Sequence, residues 1–213
     1  MTDFTGDEEF AVFAEALEKA AKKDAKKRRR AAVKRQAAAL TPAYREQAGR
    51  AIAQALLESE EFRSAKTVFC YVSVGEEPDT AAFLDAALAA GRKVAVPRCL
   101  GRGVMEAVLI ESRSDLSKTG AYGIPEPADG LPVIGPEALD LLIVPCVACS
   151  REGARLGHGM GYYDRFLEQS EGTSVALCYE ALLQEKIPEE PHDKRPDLVL
   201  SEAAWYPSVQ RGE

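Results

Sequence analysis

The residues best suited to chemistry are concentrated in one stretch, GARLGHGMGYYDR, residues 153–165. Glycines at 153, 157, 159 and 161 punctuate it, with Arg155 and His158 between them. Glycine lets backbone N–H groups converge on an anion at little steric cost. Arg155 offers a planar, permanently charged fork that suits phosphate. The spacing is not a nucleotide fingerprint: there is no GxxxxGK[ST], and Gly157 opens GxGxG rather than GxGxxG. On the glycines alone, a surface loop of tight turns is an equal reading.

The flanking segments must position this loop. DLLIVPCVAC (140–149) reads as a buried strand, and residues 162–167 begin a short helix whose first N–H groups would also favour an anion. KTVFCYVSV (66–74) is strand-like, and GEEPDT (75–80) follows it. Asp79 or Thr80 is then placed to cap the helix AAFLDAALAA, which Gly91 closes before the strand KVAVP (93–97). Strand, helix, strand is the pattern of a right-handed parallel crossover. In open sheets of this kind ligands gather beyond the carboxyl ends of the strands, where both GEEPDT and the glycine loop would lie. VMEAVLI (104–110) and TSVALCYE (173–180) are further strand candidates, and Thr41-Pro42 opens a helix expected to reach about Glu60. The fold class is α/β, a mainly parallel sheet flanked by helices.

With these residues in view, GARLGHGMGYYDR resembles the signature of the 5-formyltetrahydrofolate cyclo-ligase family (methenyltetrahydrofolate synthetases). There an Arg-Leu-Gly, two further glycines and Tyr-Tyr-Asp stand in this order. The resemblance spans roughly residues 26–201 and implies a fold shared with sugar-phosphate isomerases and CoA transferases. It also implies the ATP- and Mg²⁺-dependent closure of 5-formyltetrahydrofolate to 5,10-methenyltetrahydrofolate, with release of ADP and phosphate through a phosphorylated formyl (imino-phosphate) intermediate.

The roles implied by the resemblance fall on particular residues. The phosphates would be held by Gly153, Arg155 and the loop Leu156, Gly157, His158, Gly159, Met160 and Gly161. They would also be held by Lys26 and Arg30 in the basic run KKRRRAAVKR (26–35), in register with Leu40-Thr41. Lys26 and Arg30 are one helical turn apart and so point to one side. Glu77 matches the glutamate that meets the folate near its formamide, while Tyr122 in YGIPEP, Tyr162 and Tyr163 complete the folate side. Arg155, Tyr163 and Glu77 carry the catalytic expectation, and Asp164 and Asp193 the metal. His158 stands at a variable place in the signature, so its side chain receives no catalytic role. One departure is Cys149-Ser150, where the family commonly has Phe-Asp.

Composition bounds the rest. At 213 residues, one domain (26–213) with a helical extension (1–25) is expected. In the extension, Phe10, Phe13 and Leu17 recur at helical spacing. A net charge of −7 argues against general nucleic-acid affinity. No apolar run approaches the roughly 20 residues of a membrane span. Five cysteines without a signal peptide fit a reducing cytoplasm. Cys146 and Cys149 form a CxxC with no second pair to complete a metal site, and read as buried structural thiols. The partner is a small molecule, 5-formyltetrahydrofolate with or without a polyglutamate tail, acting on a monomer. Two other classes stay open: a non-catalytic folate or nucleotide binder, and an isomerase- or CoA transferase-like enzyme needing no ATP.

Overall fold

The computed structural model describes residues 6–120 and 123–209; Tyr122 therefore lies outside the described residues. Three helices open the chain: α1 (Gly6–Ala39), α2 (Pro42–Leu57) and α3 (Glu60–Ser64). Strand β1 (Thr67–Cys70), helix α4 (Ala81–Ala89), β2 (Lys93–Gly101) and β3 (Val104–Ile110) follow. Next come the short strands β4 (Lys118–Thr119), β5 (Pro125–Glu126) and β6 (Val133–Ile134). β7 (Leu141–Val144), β8 (Ala148–Cys149), β9 (Arg155–Leu156) and helix α5 (Tyr162–Leu167) carry the glycine loop. β10 (Thr173–Leu177), β11 (Leu198–Leu200) and β12 (Trp205–Pro207) complete the fold.

The main sheet runs β12-β11-β10-β7-β1-β2-β3-β6. Its five central strands, β11 to β2, are parallel, while β12, β3 and β6 add antiparallel margins. β1 (TVFC) and β7 (LLIV) are buried along their whole length, as strands covered on both faces must be. The run 140–149 is two strands rather than one. Pro145 removes a ladder donor, and the chain leaves the main sheet to form the β8–β9 hairpin. The Asp140 carboxylate accepts from the N–H groups of Lys66 and Thr67, both at 2.8 Å, pinning β7 beside the start of β1.

Caps fix the helices. The Thr41 side chain accepts from Tyr44 N–H at 3.2 Å, with Pro42 in the first turn. The helix stops at Leu57, short of Glu60, and Ser59 caps α3 by accepting from Phe62 N–H. At α4 the side-chain cap is Asp79, which accepts from Ala81 N–H. Thr80 instead donates to the Tyr71 carbonyl and accepts from Ser73 N–H, shaping the 71–80 loop. Helix α1 is continuous through residues 25 and 26. It packs through Lys26, Val33 and Ala37, which share one stripe, whereas Phe13 and Leu17 are exposed at 61% and 55%.

Candidate functional site

The glycine loop leaves the β8–β9 hairpin beyond the carboxyl end of β7. Ser150, standing where the resemblance leads one to expect a carboxylate, accepts from Ala154 N–H at 3.1 Å and so closes the hairpin turn itself. Gly153 lies in that turn against Ser208, away from the cavity. Arg155 is 5% exposed. Its guanidinium donates to Asp164 Oδ1 at 2.7 Å and to the Pro145 carbonyl at 3.4 Å. The same guanidinium lies 5.9 Å from the Tyr163 ring centre, and among the described residues its buried Nε has no partner. Gly159, with φ of 100°, adopts a conformation that L side chains avoid. A Cβ there would stand 3.2 Å from the Arg30 guanidinium, so glycine also gives Arg30 access to the loop backbone.

Arg30 Nε donates to the Gly157 carbonyl at 2.7 Å, which docks α1 on the loop. Desolvation lowers the Arg30 pKa, against Asp193, Asp164 and Glu190, which push it up. One turn earlier, the buried Lys26 ammonium donates to Glu190 at 2.6 Å and to both oxygens of Asp193 at 2.9 and 2.6 Å. Lys26 holds the Glu190 carboxyl below its ordinary range. Asp164 Oδ1 also accepts from Lys194 N–H at 3.2 Å. Asp164 is thereby tied to the 190–194 segment that carries Asp193.

The 71–80 loop forms the facing wall. Tyr71 donates to the Pro78 carbonyl at 2.7 Å, and Tyr179 donates to the Glu77 carbonyl at 3.3 Å. Glu77 Oε2 accepts from Val74 N–H at 3.0 Å, and Oε1 lies 3.2 Å from His158 Nε2. Tyr163 packs on Phe69, and burial pushes its phenol well above the ordinary value, with Glu77 adding to the shift. Tyr162 belongs to the core cluster while reaching the cavity edge.

These walls enclose a cavity of about 750 Å³, within the range of small-molecule sites. Lys26, Arg30, Glu77, Arg155, residues 156–161, Tyr162, Tyr163, Asp164 and Asp193 all line it. Several lining residues escaped the sequence reading. Lys19 and Lys23 extend the α1 stripe, signalled by their seven- and three-residue spacing to Lys26. Glu126, in YGIPEP, accepts from Cys99 N–H at 3.3 Å. Glu190, only three residues before Asp193, joins it and His192 in a group whose possible ligand atoms lie within 4.8 Å of one another. Asp164 is outside that group. Asp164, Asp193 and Glu190, which line the cavity with the glycine loop, all offer carboxylate oxygens, the chemistry a hard divalent ion prefers. Cys146 and Cys149 are buried free thiols behind the loop.

Known proteins bear on this geometry. The sequence model of the 5-formyltetrahydrofolate cyclo-ligase family matches residues 21–202. The 5-formyltetrahydrofolate cyclo-ligase of Mycolicibacterium smegmatis is 34% identical over 146 residues, covering 65% of this chain and 74% of its own. That of Escherichia coli K12 is 30% identical over 174 residues, covering 78% and 95%. The NMR structure of Aquifex aeolicus 5,10-methenyltetrahydrofolate synthetase has a TM-score of 0.78 at 28% identity, covering 88% of this chain and 95% of that one. The synthetase from Mycoplasma pneumoniae has a TM-score of 0.67 at 19% identity, covering 83% and 98%, a likeness of fold. No helix among the described residues is long and apolar enough to cross a membrane.

Proposed function

The chain belongs to the 5-formyltetrahydrofolate cyclo-ligase family, and from that premise we propose that it closes 5-formyltetrahydrofolate to 5,10-methenyltetrahydrofolate at the expense of ATP. The observation that carries this reading is the convergence of two walls on one cavity. The glycine loop with Arg30 and Arg155 comes from one side and Glu77 of the 71–80 loop from the other, with Tyr163 lining the space beside Arg155.

The chemistry asks for such a division. The formyl oxygen of an amide is a poor leaving group, so the neighbouring amine cannot close the ring unaided. Attack of that oxygen on the γ-phosphorus of ATP forms the new O–P bond and breaks the bond to the β-phosphate oxygen, releasing ADP. The second folate nitrogen then attacks the formyl carbon and loses its proton. The C–O bond breaks, and phosphate departs with the former formyl oxygen. Positioning and charge neutralisation account for most of what an enzyme contributes to such transfers.

On the phosphate wall, Arg30, Arg155 and the amides of 157–161 would meet the transferring group. Lys26 would turn toward it from Glu190 and Asp193, exchanging one anionic partner for another. On the folate wall, Glu77 and Tyr163 would fix the formamide and the pterin. Asp164 and Asp193 would hold Mg²⁺, which supplies charge neutralisation to the phosphates when bound. Incubation of the chain with 5-formyltetrahydrofolate, ATP and Mg²⁺, with ADP and methenyltetrahydrofolate followed together, tests the reading. Equal amounts of the two products are expected. ADP without the folate product would contradict it, as would tight folate binding without turnover.

A further inference from the structure

Resting on that reading, we infer that His158 is a positioning residue that sets the orientation of Glu77 for the folate. Glu77 is held at three points. Its carbonyl accepts from Tyr179, its Oε2 accepts from Val74 N–H at 3.0 Å, and its Oε1 meets His158 Nε2 at 3.2 Å. The first two contacts come from the folate wall or the sheet beneath it. The third comes from the glycine loop across the cavity, where Arg30 holds the neighbouring Gly157 carbonyl at 2.7 Å.

An ionised carboxylate only accepts hydrogen bonds, so the imidazole proton belongs on Nε2 in this contact. With one oxygen committed to Val74 and the other to His158, the plane of the Glu77 carboxylate is fixed. Remove the imidazole and one oxygen loses its restraint, so the group can rotate away from the orientation that meets the formamide. His158 sits between Gly157 and Gly159, and its side chain is 53% exposed while that of Glu77 is 13% exposed. An imidazole that remains half in solvent contributes little to the fold, so its substitution reports on the site rather than on folding.

The test is a double-mutant cycle. His158→Ala should raise the folate KM roughly five- to tenfold, the size expected for one ordinary hydrogen bond acting through Glu77, while the ATP KM stays within about twofold. His158→Gln, whose amide can still donate to Glu77, should recover most of the loss. In a Glu77→Ala background, His158→Ala should add nothing, because its effect passes through the missing carboxylate. An unchanged folate KM in His158→Ala would overturn the inference. So would a double variant that loses the same factor again, which would show a role in loop structure. A wild-type chain that turns over no 5-formyltetrahydrofolate would overturn the functional reading itself, and this inference with it.

Discussion

At the scale of single residues, the site is a set of charges committed to one another. Arg155 and Asp164 pair at 2.7 Å under the glycine loop, with the arginine side chain only 2% exposed. On the proposed reading, replacing Arg155 with Ala removes a donor to the developing phosphate charge, and turnover should fall on the order of 100-fold. The folate KM should change little, so steady-state kinetics with each substrate varied would check the assignment. Glu77→Ala should do the opposite, raising the folate KM while nucleotide affinity, measured by titration calorimetry, stays near normal. Asp164→Asn and Asp193→Asn retain shape and remove charge. Both should need more Mg²⁺ for half-maximal rate at fixed ATP, and unchanged Mg²⁺ curves in both would mean that the nucleotide alone holds the ion. That Arg155, Glu77 and Asp164 would reach one cavity was legible from their motifs, whose short-range spacing fixes their register, while the roles proposed for them rest on the resemblance. Glu190 and Glu126 were not legible, since a carboxylate in a polar, proline-rich segment reads as surface until a distant strand or helix is seen to face it.

At the scale of elements, helix α1 is fastened to the body by one ionic knot as much as by packing. Lys26 is 6% exposed and holds Glu190 and Asp193 together, while Val33 and Ala37 supply the apolar contact. The Glu190 carboxyl is depressed chiefly by its hydrogen bond with Lys26. A depressed acid stabilises the fold fully above its unfolded pKa, and that contribution disappears as the pH falls through the folded value. Melting temperature should therefore drop on acidification below the ordinary glutamate range. Lys26→Met should melt lower than wild type at pH 7, and the gap should narrow by pH 3.5; a gap independent of pH would contradict the knot. The register of Lys26 and Arg30 within so basic a run was readable only by counting from Leu40-Thr41, which the helix break at that point marks. A helical extension over residues 1–25 was expected before the domain, and the helix that carries it continues to Ala39. Ala, Lys and Glu all favour helix, so nothing there stops one, and Lys19 and Lys23 are carried to the cavity mouth.

At the scale of the whole molecule, the parallel core places the loops after β1 and β7 side by side, since those strands are hydrogen-bonded neighbours. That adjacency brings the glycine loop and the 71–80 loop together, with His158 Nε2 3.2 Å from Glu77 Oε1. The parallel centre was legible from apolar runs alternating with helical segments. The antiparallel margins were not, because β3 returns from β2 through a tight Gly101-Arg102-Gly103 turn whose consequence depends on pairing rather than on pattern. Nor was the division of 140–149 into two strands, although Pro145 marks the place where the chain leaves the sheet. The central claim is that this cavity couples phosphoryl transfer to ring closure, and near-ultraviolet absorbance tests it directly. The band of 5,10-methenyltetrahydrofolate should grow only when 5-formyltetrahydrofolate, ATP and Mg²⁺ are all present, in step with ADP. Absence of the band in the complete mixture, or its equal growth without ATP, would contradict the account.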